Sequence, residues 1–332
     1  MKLVMTLLAR DEADIVDAQI GFHLAAGVDF IVATDHESSD GTTELLERYQ
    51  AQGVLRLLKE SNSTLRQSAW VTRMARIAAV EHAADWVINS DADEFWWPSG
   101  GDLKRVLDDV PSEYGIVQTF VRTFLPPIED GGSFAERMIV RLLPVAPIND
   151  PVSPFRVNVR LIHRGVSDVV VRTGNAALVA PSLVPLRAGP PIEVFHFPIR
   201  SFAHFERKFL AHHETVRERR RGDHRVAFDA ASRGRLHDLY RRLCVSDEQV
   251  SRGVEDGTLV VDVRLRDALR GLARTDSTPP SFPRRHAADE LGYFVEKQAL
   301  EDGELVRMQR RVDELHRRVG ALGGTNHRVR VT

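Results

Sequence analysis

The chain has 332 residues, 43% of them hydrophobic and 28% charged, and 45 lysines and arginines face 47 aspartates and glutamates for a formal net charge of −2. That composition excludes disorder over the whole length and gives no global electrostatic drive toward nucleic acid or an anionic membrane. The one cysteine, Cys244, excludes an internal disulfide framework and a cysteine-built zinc site, and it suits a reducing cytoplasm, the compartment expected for this chain.

Residues 1–8 are apolar, but Arg10, Asp11, Glu12 and Asp14 follow at once, so neither a signal-peptide core nor a membrane span is expected there. Residues 3–8 are a short apolar run of the buried-strand kind, and 13–26 carry Ile15, Val16, Ile20, Phe22 and Leu24 in a helix-like distribution that Gly27 ends. Residues 30–34 form a second buried strand. Ser39, Asp40, Gly41 and Thr42 make a turn and helix start, and the helix over 43–52 is closed by Gly53. A third strand over 54–58, a helix over 65–84 and a fourth strand over 86–89 complete an alternation that predicts a mostly parallel sheet with helices on both faces.

Strand signals continue over 116–121, 157–162, 169–172 and 192–197, separated by proline-rich loops. Beyond 201 the pattern turns helical, with a basic stretch at 217–225 and a proline-containing break at 278–283. The expected organisation is a catalytic domain over 1–210, a helical, arginine-rich extension over 211–285 and a last helix over 286–332. In that helix Leu305, Val312 and Val319, with Met308, Leu315 and Leu322, repeat at heptad spacing. The seam suits a short coiled coil joining copies of the chain, and docking on its own domain explains it nearly as well. The basic stretch reads as a solvated helix face, the alternative being contact with an anionic acceptor or with the inner face of a membrane.

The most informative segment is Asp91-Ala92-Asp93-Glu94-Phe95-Trp96-Trp97, directly after the fourth strand. Ligands of such sheets sit beyond the carboxyl ends of the strands, where Asp35 and Asp91 both fall. Two carboxylates one residue apart at a turn can face a divalent cation and the diphosphate it carries, and hard oxygen ligands suit Mg²⁺ or Mn²⁺. Asp35 suits nucleotide contact, whereas Asp40 suits a structural cap. Gln67, Trp70 and Arg73 share one side of a helix; Gln67 and Arg73 are candidates for the donor, and Trp70 suits the core. Trp96 and Trp97 could stack on a sugar face, one of them being core.

Taken jointly, several segments resemble the bacterial family-2-type glycosyltransferases related to the family-92 group. They are 6–12 with Asp40-Gly41-Thr42, Gln67-x-x-Trp70-x-x-Arg73-Met74-Ala75, and Asp85-Trp86-Val87 through Asp91-Ala92-Asp93-Glu94-Phe95-Trp96. Later come His163-Arg164, Gly174-Asn175, and His196-Phe197-Pro198-x-Arg200-Ser201-Phe202-x-x-Phe205-x-x-Lys208, so the likeness covers about 1–210. It implies a GT-A (Rossmann-like α/β) fold, a nucleoside diphosphate sugar donor and a divalent cation held by the Asp-x-Asp element. The family frequently has Asn-Glu where this chain has Asp11-Glu12, and Glu12 can lie near the base of the nucleotide.

His196, pointing to the opposite face from Phe195 and Phe197, is the residue to pair with Asp93 as a metal ligand; an isolated histidine there would read as core. Arg200 and Lys208 could neutralise the leaving diphosphate. The expectation is therefore a metal-dependent transfer of a sugar to the hydroxyl of a carbohydrate or glycan acceptor, and the resemblance implies inversion. Asp35 and Asp91 would hold the nucleoside, with Glu94 and Asp150 as candidates for the base. A nucleotidyltransferase would use the same carboxylates, but it would normally carry a glycine-rich loop after the first strand, and Leu8-Ala9-Arg10-Asp11-Glu12 has no glycine. A coiled-coil adaptor with a vestigial catalytic domain is the non-enzymatic alternative.

Overall fold

The structure, a computed structural model, describes residues 1–61, 66–129, 131–143, 158–172, 174–186, 192–211, 222–273, 282, 296–298 and 301–302. The chain divides into two compact units, Met1–Leu143 with Asn158–His286, and Pro144–Val157 with Ala287–Thr332. Asp150, the heptad seam over 305–322 and residues 217–221 of the basic stretch lie outside the described residues. In the second unit Gln298 Nε2 donates to Asp302 at 3.0 Å and Glu296 is buried.

The strands of the first unit are β1 (Leu3–Ala9), β2 (Phe30–His36), β3 (Leu55–Glu60), β4 (Trp86–Asp91), β5 (Glu94–Pro98), β6 (Ile116–Thr123), β7 (Val140–Leu142), β8 (Val159–Arg164), β9 (Val170–Val171), β10 (Leu178–Val179), β11 (Pro185–Leu186), β12 (Ile192–His196) and β13 (Leu259–Val261). The helices are α1 (Val16–Ala25), α2 (Thr42–Ala51), α3 (Gln67–Val80), α4 (Leu103–Asp108), α5 (Phe134–Arg137), α6 (Phe202–Glu206), α7 (Gly222–Ser232), α8 (Leu236–Leu243), α9 (Asp247–Glu255) and α10 (Arg264–Ala273). A π-helical turn, Arg207–Ala211, continues α6.

Eight strands lie in the order β3-β2-β1-β4-β8-β6-β12-β5, and β11 adds to β6 as a ninth. The first four are parallel, as the sequence predicts. The far half is mixed: β8 runs antiparallel to both β4 and β6, and β5 antiparallel to β12. β7 and β13 pair separately.

Side chains on these strands alternate between two cores because successive Cβ atoms point to opposite faces. Leu3, Met5 and Leu7 of β1, Ile31 and Ala33 of β2 and Trp86 and Ile88 of β4 join one cluster with Ile20 and Phe22 of α1. Val4, Val32 and Val87 face the other way, onto Val71, Met74 and Ala78 of α3. A third cluster gathers Phe205, Leu236, Tyr240 and Cys244, so the cysteine is a plain buried residue. Among the described residues no helix is long and apolar enough to cross a membrane.

Backbone chemistry sets the corners. Gly27 and Gly53 end α1 and α2 at φ +104° and +78°, a region that a Cβ disfavours. At Gly165 a Cβ would lie 1.9 Å from the Ala84 carbonyl oxygen, so only glycine lets the end of β8 pass the loop before β4. A buried ion cluster ties the late helices to the sheet. Arg122 and Arg264 donate to Glu193 at 2.8 and 3.0 Å, and Arg141 and Arg264 donate to Asp262 at 2.7 and 2.6 Å.

Candidate active site

The register places Asp35 of β2 beside Ala9 and Asp91 of β4 beside Leu8, so both carboxylates flank the carboxyl end of β1. The two loops that leave this edge are stitched together. Asp11, in left-handed conformation at φ 53°, accepts from the Ser39 N–H at 2.7 Å and gives its own N–H to Ser38 Oγ at 3.0 Å. The N–H groups of Glu12 and Ala13 reach Thr42 Oγ1 and Asp40 Oδ2 at 2.8 and 3.0 Å. Asp40 also accepts from the Thr42 N–H and hydroxyl, which is the structural capping role expected for it. Asp35 keeps its place at the strand end, with one oxygen accepting from Ser38 Oγ at 2.5 Å and the other from Thr43 Oγ1 at 2.7 Å.

Asp91 Oδ1 takes two donors, Gln67 Nε2 at 3.3 Å from the start of α3 and Asn175 Nδ2 at 3.2 Å from the β9–β10 hairpin. Gln67 Oε1 in turn accepts the Gly174 N–H at 3.3 Å. Burial, and then the negative charges of Glu94 and Asp93, push the Asp91 carboxyl up to about 7.

Two residues on, the chain turns into β5, and the β5–β12 register sets Glu94 opposite His196. The Phe197 N–H bonds the Asp93 carbonyl at 2.9 Å, and His196 Nε2 stands 3.6 Å from Asp93 Oδ1. The other Asp93 oxygen accepts from Lys208 Nζ at 2.9 Å. Burial works to raise the Asp93 carboxyl, but Lys208 and then His196 outweigh it and hold it well below the ordinary range. Asp93, Glu94 and His196 each offer one ligand atom within 4.8 Å of the others. Two atoms bound to one cation at about 2.1 Å are roughly 3.0 Å apart at right angles and 4.2 Å apart when opposed, so the Asp93–His196 spacing fits a shared Mn²⁺ or Mg²⁺.

Glu94 is fully buried. Its Oε1 accepts from Arg160 Nε at 2.5 Å and its Oε2 from the Asp91 N–H at 3.3 Å, so it is closed to an acceptor hydroxyl in the state described. Arg200 is buried as well, held by Glu12 and by both oxygens of Asp14 at 2.7 and 2.8 Å. Burial raises the Glu12 carboxyl, but Arg200 and His204 more than offset that and hold it below its usual value. The guanidinium is therefore charge-compensated within the protein, in contrast to the free diphosphate contact expected of it.

Arg73 is brought to none of these groups. Half-exposed, it pairs with Glu60 at 2.5 Å. Neither tryptophan after the Asp-x-Asp is free to stack on a sugar. Trp96 donates through Nε1 to Ser90 Oγ at 3.1 Å, Trp97 stacks on Phe195 at 5.3 Å, and both are fully buried, because β5 is covered on both faces. Trp70 is core and touches His36, as expected.

Sequence reasoning missed Asp14, Arg160, Asn175 and His204. A signal existed for His204: it falls midway between Arg200 and Lys208 at i, i+4 spacing, in a helix that Ser201 caps by accepting the His204 N–H at 3.1 Å. For Arg160 there was none, since strand alternation does not reveal a cross-sheet partner.

Residues 8–130 match the family model of Glycosyltransferase family 92. Among solved structures, S. aureus TarS is similar at 16% identity and TM-score 0.29, the match covering 50% of this chain and 28% of TarS. TarS 1–349 in complex with UDP-GlcNAc is similar at 13% identity and TM-score 0.28, over 50% and 46% of the two chains. Glucosyl-3-phosphoglycerate synthase from Mycobacterium tuberculosis, in complex with Mn²⁺, UDP and phosphoglyceric acid, is similar at 18% identity and TM-score 0.26, over 41% and 45%. The chain thus spans less than half the length of these proteins. No curated protein matches. The family match falls on the strands that carry Asp35, Asp91, Asp93 and Glu94, so residues 8–130 of this chain are similar to Glycosyltransferase family 92.

Proposed function

We propose that this protein is a glycosyltransferase of GT-A architecture that takes its sugar from a nucleoside diphosphate sugar and passes it, with inversion and in a metal-dependent way, to the hydroxyl of a carbohydrate or glycan acceptor. The observation that carries the reading is the meeting of Asp93 and His196, 3.6 Å apart, beside the strand-end carboxylates Asp35 and Asp91. The pair supplies a hard oxygen and an imidazole nitrogen, a donor set that Mn²⁺ and Mg²⁺ accept while leaving positions for diphosphate oxygens and water.

Asp35 and Asp91, the latter oriented by Gln67 and Asn175, would hold the nucleoside, with Glu12 near its base. Asp93 and His196 would hold the cation, which when bound supplies the positive charge that a departing diphosphate needs. Lys208, one-third exposed, adds an ammonium next to that position. Arg200 acts one step back by fixing Glu12 and Asp14. Both Glu94 oxygens are engaged within the protein, and Asp150, the other sequence candidate for taking the acceptor proton, lies outside the described residues. A catalytic region over 1–210, self-association through 305–322 and peripheral contact with an anionic surface belong to the same proposal.

The test is calorimetry with Mn²⁺ and UDP, GDP, ADP and CDP in turn, followed by donor hydrolysis and the anomeric configuration of the product. Asp93→Asn is expected to remove Mn²⁺-dependent nucleoside diphosphate binding with little change in melting temperature. His196→Asn is expected to weaken the metal more than the nucleoside. Unchanged Mn²⁺-dependent affinity in Asp93→Asn, or a retained anomeric configuration, rejects the corresponding part.

A further inference from the structure

The two oxygens of Asp93 face different partners. Oδ1 looks toward His196 Nε2 at 3.6 Å, and Oδ2 holds Lys208 Nζ at 2.9 Å. The ammonium has a second anchor, the Pro198 carbonyl, at 3.0 Å. Asp93 itself is nearly closed to solvent at 6% exposure, whereas the Lys208 side chain is 33% exposed, so the lysine has somewhere to move and the carboxylate does not.

The backbone gives Lys208 an unusual mount. It sits on the π-helical turn Arg207–Ala211 that widens the chain immediately after α6, and single π turns interrupt the regular helix ladder, often at working sites. The start of α6 is fixed by the Ser201 cap and, beyond it, by buried Phe205. A rigid base therefore carries a side chain whose own turn is irregular.

A divalent cation on Asp93 Oδ1 and His196 would lie within roughly 5 Å of this ammonium, and two positive centres sharing one carboxylate repel each other. A nucleoside diphosphate changes that balance, because its negative oxygens accept from the ammonium and ligate the cation together. We propose that Lys208 is a built-in competitor for the cation: it occupies Asp93 in the empty site, keeps free divalent ions weakly bound, and passes to the diphosphate when donor and metal arrive together.

This inference rests on the metal reading of Asp93 and His196, and it adds a thermodynamic consequence that the reading alone lacks. The metal reading already makes metal and nucleoside diphosphate strengthen each other's binding, by the same factor in both directions; what the lysine adds is an opposite effect on the two ligands. Without the lysine, the metal alone should bind better and the diphosphate worse. A purely structural ion pair predicts no such opposition: removing it would weaken both ligands or neither.

The experiment is calorimetry on the full chain with Mn²⁺ alone, and with whichever of UDP, GDP, ADP and CDP binds the wild type, at fixed pH and salt. In Lys208→Met the affinity for Mn²⁺ alone is expected to rise about tenfold and the nucleoside diphosphate affinity at saturating Mn²⁺ to fall about tenfold. Lys208→Gln serves as the second variant should the methionine disturb folding, with the same expected directions. Asp93→Asn is the control. Mn²⁺ binding that depends on Asp93 but is unchanged or weakened in the Lys208 variants overturns the competitor role and leaves the metal reading standing. Mn²⁺ binding that does not depend on Asp93 overturns both.

Discussion

His23 on α1 accepts the backbone N–H of Trp96 through Nε2 at 3.0 Å, while its Nδ1 donates to the Gln19 carbonyl at 2.7 Å. The ring must be neutral to do this, and it is fully buried, which lowers its pKa to about 4. His163, also fully buried, is lowered to about 4 for the same reason. Between pH 6.5 and 4 the unfolded chain binds protons at these sites that the folded chain refuses, so stability rises with pH. The contribution is complete above 6.5 and is lost as pH falls toward 4, on the order of 3 kcal/mol for each ring at most. Urea unfolding at pH 7 and pH 4.5 should show the loss, and His163→Leu should flatten it by about half. A variant with the wild-type pH slope would assign the loss elsewhere.

Glu193 is the hub of the buried cluster, receiving Arg122 and Arg264. Burial opposes its ionisation, but Arg122 and then Arg264 prevail and hold its carboxyl at about 2. Glu193→Gln leaves two buried guanidinium groups with a neutral partner and is expected to lower stability by about 3–5 kcal/mol at pH 7. Because the folded pKa is depressed, the stabilisation is present above the ordinary 4.5 and disappears as pH falls toward 2. The gap between wild type and variant in denaturant titrations should therefore close on acidification, and a gap that stays constant counts against this account.

Gly165 has no room for a side chain, since the nearest obstacle is backbone and not a yielding side chain. Gly165→Ala should cost about 3 kcal/mol or more, or prevent soluble expression. Thermal melts within a degree or two of wild type would contradict the close approach of β8 to the 81–85 loop.

Gln67 and Asn175 converge on one oxygen of Asp91. Replacing either by alanine should weaken nucleoside diphosphate binding by about three- to tenfold, one lost hydrogen bond each, and leave the affinity for Mn²⁺ alone unchanged. The double variant should fall short of the product of the two, because the residues share a target and Gln67 also holds Gly174. Equal loss of metal and nucleotide affinity would mean that the hairpin supports the whole site and not Asp91 alone.

The first half of the sheet was legible because β1, β2 and β4 open on apolar runs and because α1 and α2 end at glycines with positive φ. In the second half β6, β8, β9 and β12 fall on or near the expected ranges, but β5 was not legible, for a physical reason. Phe95, Trp96 and Trp97 show no alternation, since β5 is buried on both faces, and just after β4 the two tryptophans read as rings that could stack on a sugar, one of them core. The pairing of Asp93 with His196 was legible from strand ends and alternation together with the family resemblance. The counter-charges were not: Arg160 on Glu94, Asp14 on Arg200 and Lys208 on Asp93 are pairings across the fold that no local pattern encodes.

The place of β5 in the sheet also bears on how the chain comes off the ribosome. Its partner is β12, and Glu94 waits for His196, about a hundred residues later in synthesis. Until β12 emerges to slide between β6 and β5, the segment 95–97 lacks its strand neighbour, and Trp97 and Phe95 lack their contacts with Phe195 and Phe197. Such a strand is a contact point for chaperones and for neighbouring nascent chains. Pulsed proteolysis of stalled nascent chains should find β1 to β4 protected well before β5. The cation-facing pair Asp93 and His196 is assembled in that same late event, so a chain halted before residue 192 would carry strand-end carboxylates but no metal grip.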